Sequence, residues 1–516
     1  MLIPVQQMSG EVVIAEVTPD TPIGELKQQL KAWHKSEDEL VRRMTKVEIV
    51  LEGILLECDD DTISSVGISP DAEVHVLFTM TPVVCSCKED SDCDVTNLLI
   101  VSIPESVTDI GTAAFQECSY LASVTIPNSV TSIGSHAFLG CRSLATVTMP
   151  DSVTSIGDFA FQDCSSVEAL TIPNLVSSIG FCSFRYCSSL TSLTIPHSVT
   201  SIGDRSFQGC SALRDLTISD SVTSIGKLAF EECSALRNLM LPKFLASIGS
   251  DAFSGCSSVK NVTLPDTLSH IGNGVFKGCS LMTDLTIPNS VSCIGDSAFD
   301  GCCSLIQLRI PNSVTRIEKS AFKNCSSLAS LTIPDSMTSI GSHAFSGCCS
   351  LANLAIPNSV TRIESCTFAN CGALASLSIP GSVSRIGNCA FSGCSKLQRL
   401  VIPSSVTRIG DFAFTDCCSL KSLTIPCSVT RIGTGAFQGC DVLTSLVIPK
   451  SVTRIEKFAF KGCRSLTSLT IPDSVTCIGS EAFRSCNSLM SLIVPDSVTF
   501  VGYAAFEGYE ESAPNI

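Results

Sequence analysis

The chain has 516 residues, 44% of them hydrophobic, and a formal net charge of −16. That charge, with no basic block, excludes non-specific binding to nucleic acid. No apolar run approaches the ~18 residues of a membrane-spanning helix, so no membrane span is expected.

The first eighty residues read as a small mixed domain. Leu2-Ile3-Pro4-Val5 and Val12-Val13-Ile14-Ala15-Glu16-Val17 flank Ser9-Gly10 and predict a hairpin. Thr21-Pro22 opens a helix, with Thr as N-cap and Pro at the first helical position. Ile23, Leu26 and Leu30 share one face of it, and Trp33 is near enough to join them. Val47 to Leu51 reads as a strand, Glu52-Gly53 as a turn and Val74 to Phe78 as a closing strand. This order is that of an α+β β-grasp.

The residues themselves resemble ubiquitin over 1–79. Met1-Leu-Ile-Pro-Val, the stretch 18–30 (Thr-Pro-Asp-Thr-Pro-Ile-Gly-Glu-Leu-Lys-Gln-Gln-Leu), Ile49 to Gly53, Thr62 to Ile68 and Val74 to Leu77 carry the resemblance. It implies partner contact through a small apolar patch, which falls here on Met8, Val50, His75 and Leu77. The rim of that patch reads Glu48, Glu52 and Ile54 where ubiquitin is basic. No Gly-Gly follows Phe78, so the resemblance does not extend to conjugation. Residues 80–97 form an acidic linker with Cys85, Cys87 and Cys93. These thiols with Asp90 and Asp92 could hold zinc, but no second Cys-x-x-Cys pair completes a tetrahedron. Incidental thiols are the expected reading, and no cofactor or metal is expected anywhere in the chain.

From Phe115 to Phe506 a Phe recurs every 23 residues, and a Cys follows three residues later from Cys118 to Cys486. Tyr509 breaks the Cys column. A fixed period of this length is the mark of a solenoid. In the unit Leu190 to Cys210, Leu193 and Ile195 alternate with Thr194, the period of a half-buried strand. Pro196 ends that strand because it has no N–H for a ladder; only Ser219 breaks the Pro column. A second short extended stretch, Val199 to Ile202, leads to Gly203. Ser206 and Phe207 leave room for one helical turn at most. A single unit cannot bury its apolar edge, so the coils must stack, at roughly 4.8 Å each. Eighteen of them make a rod on the order of 85 Å long. The pattern L-x-x-L-x-I-P-x-x-V-x-x-I-G-x-x-x-F-x-x-C resembles the BspA-like class of leucine-rich repeats over about 98–508. The resemblance implies a curved β-solenoid that binds proteins or surfaces, and it implies no catalytic residues. Residues 509–516 are read as a tail.

Within the repeat, Arg362, Arg385, Arg408, Arg431 and Arg454 occupy one column of five consecutive coils, with Arg316 two coils earlier. Most earlier coils carry Ser there. A like-charged ladder is costly unless acids neutralise it. Glu318, Glu364 and Glu456, two residues after Arg316, Arg362 and Arg454, are expected to do so in part, leaving Arg385, Arg408 and Arg431 as the freest centre. Either the stripe is solvated and paired, or it docks an acidic partner. Those Glu residues stand where Gly is usual, so that position is expected not to need a positive φ. The first strand's outward Ser and Thr, such as Ser192 and Thr194, are read as exposed strand formers. The six His are scattered, and no nucleophile–base–acid set or phosphate loop is visible, so an enzyme is not expected. No early basic segment with an apolar core appears; Lys27 is the first basic residue. The Cys column is therefore expected to be reduced thiol packed as a small hydrophobe, in the cytoplasm. The sequence expectation is a non-enzymatic protein-binding scaffold; the alternative is a cell-surface adhesion protein reached by another route.

Overall fold

The computed structural model describes residues 100–508 and, before them, the backbone of five short strands only: Leu2–Gln6, Val12–Glu16, Glu48–Leu51, Ile54–Leu56 and Val74–Leu77. Leu2–Gln6 pairs antiparallel with Val12–Glu16, at the predicted hairpin. Glu48–Leu51 pairs antiparallel with both Ile54–Leu56 and Val74–Leu77. The helix expected from Thr21, the linker 80–97 with its three thiols, and the tail 509–516 lie outside the described residues.

Each coil of 100–508 carries two short strands. In the coil from Leu190 these are Ser192–Ile195 and Ser201–Ile202. Both pair parallel and in register with their equivalents in the next coil, Ser192 opposite Asp215 and Ser201 opposite Ser224. The described residues make a mainly-β solenoid whose 36 short strands, from Ile100–Ser102 to Phe500–Val501, form eighteen pairs, about 17 full coils and an incomplete one. No helix occurs among them.

Proline terminates the first strand for the reason its chemistry dictates. Where Ser219 replaces it, the Ser219 N–H donates to the Ile195 carbonyl at 3.3 Å. The ladder there runs one residue further, and its two strands reach four residues where most have three. The chain still turns, because Val222 N–H bonds the Ser219 carbonyl at 3.1 Å just as Val199 bonds Pro196 at 3.2 Å.

The segment through each Phe forms neither helix nor strand. It is a run of tight turns that makes a third ladder. In the coil of Phe184, the N–H groups of Cys182, Phe184 and Tyr186 donate to the carbonyls of Asp204, Ser206 and Gln208 in the next coil, at 3.0, 2.8 and 2.7 Å. The flanking residues of this trio, Cys182 and Tyr186, have φ of 52° and 59°. Their equivalents have positive φ in every coil, whether glycine or not. The left-handed conformation costs a non-glycine residue about 1–2 kcal/mol. The alternation that turns three N–H groups toward one neighbour offsets that cost.

The core is a set of columns. Phe138 through Phe460 are fully buried or nearly so. Consecutive rings lie parallel, with centroids 5.0 Å apart for Phe138–Phe161 and 5.8 Å for Phe253–Phe276, an offset stack. Each Cys in the adjoining column, from Cys141 onward, donates its thiol hydrogen to the Phe carbonyl of the preceding coil; Cys210 reaches Phe184 O at 3.4 Å. The recurring spacing of Phe and Cys thus gives the Phe carbonyl two donors: Phe184 O also accepts the Cys187 N–H of its own coil, at 3.3 Å.

Because every coil bonds only its neighbours, length is adjustable in units of one repeat. Removing residues 275–320, two repeats, joins a coil to an equivalent position and is expected to leave a folded solenoid with the same circular-dichroism spectrum per residue. Removing 275–308 breaks the register of all three ladders and is expected to abolish the cooperative transition. A collapse of the first variant would contradict the stacked-coil architecture.

Candidate interaction surface

The arginine column lies on the second strand of its coils. Arg362, Arg385, Arg408 and Arg431 are Cα partners in series along one parallel ladder, and Arg454 follows in the next strand of the same sheet. All five are exposed, while the Ile after each is buried. The strand's alternation therefore drives five guanidinium groups to one face.

The neutralisation differs from the sequence expectation. Arg316 Nη2 does bond Glu318 Oε1, at 2.5 Å. Among the described residues, however, no ion pair joins Arg362 to Glu364 or Arg454 to Glu456. Arg431 instead pairs with Asp411 of the preceding coil, Nη2 to Oδ1 at 3.6 Å. Arg362, Arg385 and Arg408 are thus the consecutive stretch without an acidic partner among the described residues, one coil earlier than the centre expected. The shift has a simple origin. An acidic residue beyond the end of one strand reaches the next coil's arginine as readily as its own, and sequence adjacency does not reveal this.

Elsewhere on the surface, the outward positions of the first strand are exposed as expected, with Ser192 and Thr194 beside buried Leu193 and Ile195. The Thr preceding the second strand is less free than it looks: Thr223 Oγ1 donates to the Thr200 carbonyl at 3.3 Å, and the same bond recurs along the column. His197 and His270 are exposed and His136 is half-buried, stacked on Phe159 at 4.6 Å. His343 has its pKa lowered by partial burial and by Lys323 and Lys319. Among the described residues no group of His, Cys, Asp and Glu is placed to hold a metal ion.

Of the four head residues singled out from sequence, Met8 lies outside the described residues. The strand register puts Val50 opposite His75, and Leu77 two residues further along the same strand.

Comparison with known proteins addresses the repeats. A family model described as BspA type leucine rich repeat region matches residues 91–214, 201–329, 317–444 and 431–513. A solved leucine-rich repeat protein from Bacteroides ovatus is 28% identical, with a TM-score of 0.57 over 72% of this chain and 92% of that one. A leucine rich cell surface protein from Faecalibacterium prausnitzii is 30% identical, with a TM-score of 0.43 over 63% and 86%. No curated protein matches the chain. The family match starts at residue 91, and the ubiquitin resemblance of 1–79 finds no support in these comparisons.

Proposed function

Because the chain belongs to the BspA-type leucine-rich repeat family, we propose that it is a non-enzymatic protein-binding scaffold whose solenoid holds an acidic partner along the arginine ladder. The observation that carries this reading is the run Arg362, Arg385 and Arg408: three in-register, exposed guanidinium groups without a neutralising carboxylate among the described residues, on a chain of net charge −16. Like charges about one strand spacing apart repel, and an acidic ligand would relieve that repulsion while gaining charge-assisted hydrogen bonds. Guanidinium groups suit carboxylates better than lysines would, since each offers a planar fork of donors. The head, read as ubiquitin-like, supplies either a second contact through Met8, Val50, His75 and Leu77 or a cover for the first coil's edge. A cytoplasmic setting suits the core, where each thiol from Cys141 onward serves as a hydrogen-bond donor that a disulfide would remove.

The test uses a fluorescent polyglutamate peptide and any partner captured by the full chain. Changing Arg362, Arg385 and Arg408 together to Ser, the residue of most earlier coils, is expected to leave the thermal transition in place. It is expected to weaken binding about tenfold or more at low salt, with each exposed pair worth about 0–1 kcal/mol. Added salt should weaken the wild type in the same direction. Affinity that ignores both salt and the triple change would move the binding face elsewhere. Repeating capture with 1–79 removed tells whether the head takes part, and surface labelling of cells separates the scaffold from the adhesion reading.

A further inference from the structure

Outside the buried column, the described cysteines have no cysteine at the same place of an adjacent coil, with one exception. Cys303, Cys349 and Cys418 are exposed, and the equivalent places in the coils on either side hold Ser, Gly or Asp. Cys182, in the left-handed turn column, lies between Phe159 and Arg205. In that same column Cys366 and Cys389 follow one another in successive coils, each two residues before its Phe. His343 precedes the pair and Phe412 follows it, so the run of sulfur is two residues long. The turn does not require them, since Ala113, Arg205, Leu228 and Ser297 take the same backbone at this place.

The turn ladder holds the two cysteines in register. The Cys366 N–H donates to the carbonyl of Asn388, the residue before Cys389, at 2.8 Å, and the Cys389 N–H donates to Asp411 O at 2.8 Å. Their φ angles are 55° and 53°, so the two Cα–Cβ bonds leave their coils in the same direction. The Cys366 thiol hydrogen-bonds the Cys389 side chain. A coil spacing of roughly 4.8 Å lies within the about 4.4–6.8 Å between Cα atoms that a disulfide spans. Both residues are only half-buried, so a small solute reaches them. The core cysteines of the same coils, Cys371 and Cys394, are fully buried and donate to Phe345 O and Phe368 O at 3.4 and 3.5 Å.

We propose that Cys366 and Cys389 are an oxidation site, which a low-molecular-weight disulfide converts into a covalent bridge between adjacent coils. One cysteine thiolate attacks a sulfur of the small disulfide, whose S–S bond breaks. The first small thiol leaves and takes up the proton that the cysteine gave up. The thiolate of the other cysteine then attacks the protein sulfur of this mixed disulfide, forms the bridge and expels the second small thiol, which is protonated in turn. The two cysteines lose two electrons and the small disulfide gains them. The second step is fast because the backbone ladder already holds both sulfurs in contact. In a reducing compartment such a bridge is transient. While it lasts, it joins two coils that otherwise hold each other by non-covalent contact alone. The arginine ladder plays no part in this chemistry, so either proposal can fail without the other.

The test treats the folded full chain with oxidised glutathione, unfolds it in acid, alkylates the remaining thiols and digests it with trypsin. Peptides 363–385 and 386–396 are expected to be joined, with the link at Cys366 and Cys389 and with Cys371 and Cys394 alkylated. Dithiothreitol added before unfolding is expected to separate them. In a mixture of unlabelled and isotope-labelled chains, the joined peptides should come from one chain. Cys389→Ser is expected to lose the link and leave Cys366 carrying glutathione, and Cys366→Ser to do the converse at Cys389. Ser occupies this place at Ser297 and Ser320, so the turn accepts both changes. Cys366 and Cys389 left as thiols, each carrying its own glutathione in the wild type, or linked between two chains would each overturn the proposal. So would a link at Cys371 and Cys394, which would mean that the oxidant enters the core.

Discussion

Raising the pH from 8 to 10.5 is expected to unfold the solenoid, through its core thiols. Burial pushes the Cys column upward, and for Cys210, Cys256, Cys348, Cys394 and Cys486 it brings the folded pKa to about 12 against an ordinary 9.0. The cause is desolvation: a thiolate among stacked Phe and Leu side chains has no water and no cation. Below pH 9 the folded and unfolded chains both keep these protons, and the thiols make no pH-dependent difference to stability. Above it the unfolded chain loses them while the folded chain does not, so stability falls until the folded value is reached. Each such thiol removes about 1.4 kcal/mol per pH unit. Five together remove about 7 kcal/mol per unit, and by pH 10.5 about 10 kcal/mol, comparable with the whole stability of an ordinary domain. Urea denaturation under a phosphine reductant at pH 8, 9.5 and 10.5 measures the effect. The midpoint should fall steeply, and Cys210→Ala with Cys256→Ala should make it fall less steeply. A midpoint constant across this range would mean that the thiols are not held in an apolar interior.

The columns behind that prediction are visible in the sequence because each performs one job in every coil. Phe and Cys recur because they pack between identical neighbours, while the Leu and Ile columns also admit Val167, Val259, Met282 and Met149, all buried. Pro marks the strand end, and its exception at Ser219 lengthens the ladder as the chemistry requires. The third ladder is not legible. Its left-handed positions hold Ala113, His136, Phe159, Arg205, Leu228 and Glu481, types that carry no turn signature, since the conformation is imposed by bonds to the next coil. The second left-handed column does carry one: Gly209, Asn324 and Asp416, each two residues after a Phe, are residues that tolerate positive φ.

The glycine before the turn was legible by half. Its φ is not positive, as Glu318, Glu364 and Glu456 at the same place implied. Close approach of the coils favours it without requiring it: a Cβ on Gly226 would lie 2.5 Å from Asp204 N and Gly203 C of the neighbouring coil, yet the Cβ of each of those Glu residues is accommodated at the same place. The arginine ladder was legible as a column, but its pairing was not. Asp411 to Arg431 is a contact between coils, and inter-coil contacts among variable surface residues leave no periodic trace.

Replacing Phe299 by alanine is expected to destabilise the protein by about 3–5 kcal/mol, the range for a buried aromatic. Phe299 is fully buried and stacks on Phe276 at 5.6 Å and Phe322 at 5.2 Å. Its removal opens a gap inside a column whose neighbours are fixed by backbone ladders on both sides, so the cavity cannot collapse. Phe506, by contrast, has one stacking neighbour, Phe483 at 5.5 Å, and is only partly buried. Phe506→Ala should therefore cost less than Phe299→Ala, since its ring stacks on one side only and part of its area is already solvated. Because coils couple to nearest neighbours, the Phe299 change also places a weak link mid-column, and the denaturation curve should broaden as the two halves begin to melt separately. A double-mutant cycle with Phe322→Ala should return a coupling of about 0.5–1.5 kcal/mol, and one with Phe391→Ala, four coils away, should return none. Equal costs at Phe299 and Phe506, or equal coupling at both distances, would mean that the phenylalanine column does not act through contact between adjacent rings.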